Sequence, residues 1–161
     1  MWSFDTNYSF SNKNFAKIYQ FYVVETPVEN TSMRGKTFNS RSCNVLKLYH
    51  ELIKKSPFLK DHWHVSTIAE MPVMIKERGL EDTPDYRIEC VIHTNNKNSI
   101  TVSLFYSIRC ALAHGAFETR RHDGIKYYLL ENRDKNVIKG RMVVKENTLL
   151  DWIRIVESLS E

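Results

Sequence analysis

Apolar residues recur along this chain with two different periods. Phe15, Ile18, Tyr19 and Tyr22 fall three or four apart, which predicts a helix over residues 13 to 25, ended by Pro27. Val45, Leu48, Tyr49, Leu52 and Ile53 form a second helical stripe, with Lys47, Lys54 and Lys55 outside it. Between them lies "ENTSMRGKTFNSRS", residues 29 to 42, a polar stretch with Gly35 that reads as a loop. Ser56-Pro57 has the form of an N-cap followed by proline at the first helical position. The helix it opens should run to about Arg78, with a kink or break near Pro72 and a stop at Gly79.

Beyond Gly79 the pattern changes. Ile88, Cys90 and Ile92 alternate with Arg87 and Glu89, which predicts a short strand before the turn "TNNKN". A helix follows from Ser99, carried by Ile100, Leu104, Ile108 and Ala111. Gly115 is placed to close it in a left-handed conformation. "IKYYLLE" and "VIKGRMVVK" are strand-like runs around "NRDKN", so they predict a hairpin. Its second strand sets Ile138, Met142 and Val144 against Lys139, Arg141 and Lys145, a greasy side and a basic side. "NTLLDWIRIVESL" closes the chain as a helix, with Thr148 and Asp151 at capping-box spacing. Leu149, Trp152 or Ile153, Val156 and Leu159 supply its buried stripe. The expected fold is mainly α: a helical bundle with a β-hairpin between its last two long helices. One domain over 1–161 is expected, with residues 1–11 as a tail or arm.

Composition narrows the class of protein. The 161 residues are 42% hydrophobic and 26% charged, ordinary for a globular chain. No apolar run reaches the length of a membrane helix, and "MWSFDTNYSF" has no apolar signal core, so no membrane partner is expected. Three scattered cysteines, Cys43, Cys90 and Cys110, form neither a disulfide framework nor a zinc knuckle and suit a reducing cytoplasm. His62 and His64 in "DHWH" could chelate a metal from an extended segment; on the helix expected here they face apart, and no metal is expected. Phosphate-loop, dinucleotide, zincin and nucleophile-elbow motifs are absent, and no cofactor is implied.

Charge is concentrated late in the chain. The net charge is +4, and residues 109 to 145 carry nine Lys or Arg against four Asp or Glu, a balance of +5. A basic surface of this kind suits an anionic partner such as RNA. Arg120, Arg121 and His122, with Lys126, Lys139 and Arg141, are the candidate RNA contacts. A solvated hairpin face is the competing reading.

The chemistry-bearing pair is Arg109 and His114, inside the otherwise apolar "SIRCALAHGAF". On a regular helix they point about 140° apart and rise only ~7.5 Å, and a helix that ends at Gly115 lets the imidazole swing toward the arginine. Arginine offers a permanently charged fork of donors to a phosphate, and histidine can take or give a proton near neutral pH. One fixed cation and one proton carrier can cleave RNA without metal. Cleavage needs both an acid and a base, which a two-fold dimer would supply as two histidines at one seam. The alternative is structural: His114 caps its helix at the negative end of the dipole while Arg109 pairs outward.

R-x-x-x-x-H near the end of a late helix, then Gly, a hairpin and a "TLLDWI" helix, resembles the HEPN family over residues 99 to 158. The resemblance implies an α-helical domain that dimerises, with a metal-independent endoribonuclease site composed across the dimer. Arg109 and His114 would be its catalytic residues. Attack by the ribose 2′-hydroxyl would leave a 2′,3′-cyclic phosphate. It also implies a toxin–antitoxin or antiviral defence role, with an antitoxin or other regulatory protein as partner. Active members commonly place a polar residue after the arginine, where this chain has Cys110. Other members only bind, so a non-catalytic module for RNA, a nucleotide or a protein is the alternative. Phe105, Tyr106 and Leu112 lie off the main stripe of the motif helix and are candidates for the seam.

Overall fold

The computed structural model of the protein describes residues 1–4, 8–25, 45–82, 88–95 and 99–159. It is an α/β fold built on a five-stranded mixed sheet, which corrects the expected helical bundle. The first helix, α1 (Lys13–Tyr19), is capped by the Asn12 side chain and runs on as a π-helical turn over Gln20–Val24. Then follow α2 (Val45–Lys55), a single turn α3 (Leu59–His62), β1 (Trp63–Val65), α4 (Met71–Glu77) and β2 (Cys90–His93). The chain ends with α5 (Ile100–Ala113), β3 (Phe117–His122), β4 (Ile125–Asp134), β5 (Val137–Lys145) and α6 (Glu146–Leu159).

The strand order is β1-β2-β5-β4-β3. Strands β1 and β2 are parallel and every other pair is antiparallel. The expected hairpin is therefore β4 and β5, but it lies inside a sheet rather than beside a bundle. Two strands are the reason the bundle expectation failed. Trp63–Val65 falls where a continuous helix was expected, and Phe117–His122 falls on a stretch to which no strand was assigned. Neither run shows the alternation that marks a half-buried strand. Trp63 and His64 are both partly covered, and β3 goes from buried at Phe117, Glu118 and Thr119 to exposed from Arg120 onward.

Both faces of the sheet are covered. On one face Val91, Phe117, Tyr128, Leu130, Met142 and Val144 pack under α1, α2, α5 and α6. On the other, Cys90, Ile92, Tyr127, Leu129 and Val143 pack under Trp2 and under Met71, Ile75 and Leu80 of the α4 region. Double coverage explains why β2 is buried at all four positions rather than alternating.

It also removes the expected basic side of the hairpin. Asn132 pairs with Gly140 but Arg133 with Ile138, so Lys139 has no partner in β4. That one-residue bulge turns Ile138 toward the α4 side, away from Met142 and Val144. Arg141 is 4% exposed, beneath the Trp2 ring at 4.4 Å. Its Nε donates to the buried Glu131 at 2.6 Å and its Nη1 to the Leu80 carbonyl at 2.9 Å. Trp2 therefore packs on the sheet.

Smaller expectations shift for local reasons. Ser56 does not cap a helix; its hydroxyl accepts from the Trp152 indole at 2.9 Å. Pro72 begins α4 instead of breaking a longer helix, because β1 has already ended that stretch. Gly79 has φ +71°, as expected of a helix stop. Thr148 is the third residue of α6 rather than its cap, and its hydroxyl donates to Glu89 at 2.7 Å. The loop expected over residues 29–42 and Pro27 lie outside the described residues, as do the last three residues of "TNNKN".

Candidate functional site

Helix α5 is the central helix of the large core, and ten of its fourteen residues are buried. Ser99 caps its start by accepting from the Val102 N–H at 3.0 Å. Phe105 and Leu112, expected as seam candidates, are each 1% exposed inside a single chain. Only Tyr106 of that set is partly open. With Arg109 and Ala113 it forms a half-buried stripe at helical spacing.

The end of α5 decides what His114 is free to do. Gly115 has φ +68°. The Ala116 N–H donates to the Ala111 carbonyl at 2.9 Å and the Gly115 N–H to Leu112 at 3.2 Å. That pair of bonds is a Schellman closure, in which backbone alone satisfies the last carbonyls. Ala116 is buried, so the chain turns straight into β3. The imidazole of His114 takes no part. It is exposed and makes no hydrogen bond or ion pair among the described residues. His114 is thus the C-cap residue of α5 through its backbone, and its side chain is not needed to satisfy the last carbonyls.

Arg109 is the unusual group. Its residue is half-buried, and its Nε is buried with no hydrogen-bond partner. No ion pair reaches it among the described residues, so the outward salt bridge of the structural alternative is missing. A buried donor without an acceptor costs roughly 1–3 kcal/mol, and more when charged. Tyr106 lies beside it. Burial pushes the phenol up, a hydrogen bond with Cys110 acts in the same direction, and the Arg109 charge opposes both. Cys110 itself is buried and free.

The other candidate RNA contacts do not form one surface. Arg120, Arg121 and Lys126 line a shared cleft of about 450 Å³ at the β3 edge. Arg120 is held by Glu118 at 2.6 Å and Lys126 by Glu146 at 3.3 Å. Arg121 is exposed with no ion pair among the described residues. His122 lies 3.4 Å from Asp123. Lys139 pairs with Asp134 at 3.5 Å and lines a different cleft with Thr94 and Asn95. Arg141 is spent on Glu131, Leu80 and Trp2. Of the +5 balance read from the sequence, carboxylates outside the segment offset two, Glu146 at Lys126 and Glu89 at Lys145, which leaves 5 − 2 = 3.

Sequence reasoning missed Tyr106 as the neighbour of Arg109, although its spacing of three carried the signal. It also missed the pairing of Glu131 with Arg141, which no local pattern announces. "DHWH" is partly extended rather than helical, so His62 and His64 belong to an α3–β1 junction. No group of three or more candidate metal ligands occurs among the described residues. No helix among them is long and apolar enough to cross a membrane. Comparison with protein-family models, with curated proteins and with solved structures finds no match.

Proposed function

We propose that this protein is a metal-independent endoribonuclease. Arg109 holds the scissile phosphate and the charge that builds on it, and His114 moves the proton. The ribose 2′-oxygen attacks phosphorus as its proton leaves, the 5′-oxygen departs with a proton, and a 2′,3′-cyclic phosphate remains. The observation that carries the reading is the half-buried Arg109 guanidinium whose Nε has no acceptor. It lies one turn before an exposed His114 that the helix end does not use. A phosphate oxygen is the acceptor this donor lacks. The proposal rests on these two residues and on the motif, and the helical bundle is no part of it. One copy supplies a single histidine, so the acid and the base come from two copies meeting at the open side of α5. A toxin or antiviral role, restrained by a regulatory protein, fits such an activity.

A specific observation favours a second reading, a module that binds RNA without cutting it. Cys110 is buried and engaged with Tyr106, so that position sends no polar side chain to help Arg109. The test is incubation with mixed RNA and analysis of the ends. Wild type should yield 2′,3′-cyclic phosphate ends in the presence of a chelator, and His114→Ala should yield none. Tight binding with no fragments would replace the first reading by the second. Equal cleavage by both proteins would exclude His114 from the chemistry.

A further inference from the structure

We propose that the cavity between the C-terminal end of α4 and β2 is a second anion-binding site, built for the phosphate group of a small molecule. The cavity has a volume of about 340 Å³, and His62, Arg78, Glu77, Leu80 and Cys90 are among the residues around it. It opens on the α4 side of the sheet, whereas α5 with Arg109 covers the opposite side. The two sites are therefore independent.

Three basic groups gather here from three elements. Arg78 is the C-cap residue of α4, and its backbone N–H is used on the carbonyls of Lys76 and Met74. Its guanidinium has no hydrogen bond or ion pair among the described residues. His62 ends α3 and is equally without a partner. His64, on β1, lies in register with Ile92 of β2 and has a buried Nε2 with no partner. Arg78 and His62 both act on His64: burial lowers its pKa first, and the charges of Arg78 and His62 lower it further. One permanent cation and two imidazoles lie together, and none of them has a hydrogen-bonded or ion-paired partner among the described residues. The one carboxylate at the cavity, Glu77, makes no ion pair with any of them among the described residues. An anion in the cavity would give Arg78 and the imidazoles the acceptor that the fold does not supply.

The same residues could suggest a metal, because His62, His64, Cys90 and Glu77 are all of ligand type. Two observations oppose that. No three such donors come within reach of one ion among the described residues. Arg78 also adds a permanent positive charge, and the Cys90 thiol is pushed up to about 11 by burial, far from the thiolate that binds metal. A phosphate monoester suits the site in both charge and form. It carries close to two negative charges near neutral pH, and it meets an arginine fork with paired oxygens while an imidazolium donates to a third.

The groups facing the cavity are His62 from α3, Glu77 and Arg78 from the end of α4, and Cys90 from β2, with His64 close by. Of these only the histidines change charge near neutrality. A bound anion favours imidazolium, so it reverses the direction of the His64 shift. The full chain can be titrated with inorganic phosphate, and separately with adenosine 5′-monophosphate, while the imidazole resonances of His62 and His64 are followed by NMR. At least one probe should saturate both signals and move the His64 titration to higher pH. Arg78→Gln should weaken that affinity by at least about tenfold, Arg78→Lys by less, and His114→Ala not at all. Arg78 is exposed and its side chain makes no hydrogen bond or ion pair among the described residues, so loss of structure is not expected to confuse the result. No saturable change with either probe up to about 20 mM would overturn the proposal. So would equal affinity in Arg78→Gln, or tight Zn²⁺ binding through the same histidines. Loss of RNA cleavage with phosphate binding intact would strike only the Arg109–His114 reading.

Discussion

The indole of Trp63 donates to Nε2 of His93 at 2.8 Å, and the other ring nitrogen of His93 donates to the Thr94 carbonyl at 2.8 Å. Both nitrogens of a fully buried imidazole are thus used, which fixes the neutral Nδ1–H tautomer. The histidine sits where β2 meets β5, opposite Gly140. Burial lowers its pKa to about 4, and the bond to Thr94 only partly opposes that.

This pair predicts an acid-sensitive fold. An unfolded histidine takes a proton near pH 6.5, whereas folded His93 does not until about pH 4. Stability from this site is therefore complete above pH 6.5, falls as the pH drops below it, and levels off near pH 4. The loss over that window is roughly 3 kcal/mol. Urea midpoints at pH 7, 5.5 and 4 measure it. His93→Leu should be less stable at pH 7, because Trp63 loses its acceptor, and should show a shallower slope between pH 6.5 and 4. Equal slopes in the two proteins would exclude His93 as the source.

Gly140 fixes how closely α5 approaches the sheet. A Cβ there would lie 2.6 Å from the Ser107 hydroxyl, 3.0 Å from the Ile92 carbonyl oxygen and 3.4 Å from the His93 Cβ. Gly140→Ala should cost about 1–3 kcal/mol through overpacking. The Ser107 hydroxyl is buried without a partner, so Ser107→Ala alone should be close to neutral. Together the two should recover part of the loss and no more, since the Ile92 carbonyl is backbone and stays in place. A double-mutant cycle by chemical denaturation gives the coupling. Strict additivity would show that the hydroxyl is not the obstacle.

Glu131 joins three parts of the molecule that no local pattern connects. It is fully buried, accepts from Arg141 at 2.6 Å and from Arg133 at 3.1 Å, and meets the Trp2 backbone N–H at 3.4 Å. Glu131→Leu would leave Arg141 charged and unpaired beneath Trp2, and should cost about 3–5 kcal/mol. Glu118→Gln removes the partner of Arg120, whose side chain is 51% exposed, and should cost about 1 kcal/mol or less from the ion pair itself. Comparable losses from both substitutions would contradict the distinction between a buried network and a surface pair.

Periodicity located α2, α5, α6, the β4–β5 hairpin and the left-handed Gly79 and Gly115. α2 and α6 keep one side toward solvent, so their pattern stays visible, whereas α5 and the hairpin are covered along most of their length and were legible from the stop at Gly115 and the turn between the strands. The sheet was legible at β2, where Cys90 and Ile92 were expected in a strand, and illegible at β1, which spans three residues after a helical turn, and at β3, which carries Arg120, Arg121 and His122 on an edge. The one-residue bulge at Lys139 defeated the reading of the hairpin faces, because alternation cannot show where it slips. Arg109 and His114 could be picked from spacing and chemistry. That the helix closes through Gly115 and Ala116, leaving the imidazole unused, could only be seen in three dimensions.

The last prediction concerns how two copies share one site. If a single RNA phosphate needs one histidine as base and one as acid, a dimer with one His114→Ala subunit is inactive. Co-expressed wild-type and His114→Ala chains should then pair at random. With equal amounts of each, only about a quarter of the dimers carry both histidines, so activity should fall to about a quarter of that of wild-type dimers. If each chain acted alone, activity would fall only to about half. His114 is exposed and makes no contact that the fold uses, so the substitution should alter stability by no more than about 0.5 kcal/mol. The mixed protein will therefore be as well folded and as abundant as the wild type. Arg109→Lys offers the matching experiment for the phosphate. It keeps the charge and loses the fork, and pure Arg109→Lys dimers should lose about a hundredfold or more of the cleavage rate. A linear dependence on the wild-type fraction, or a clean monomer by light scattering at the assay concentration, would show that one chain is sufficient. The proton partner of His114 would then have to be sought within the same subunit, with the Tyr106 phenol beside Arg109 as the first group to replace.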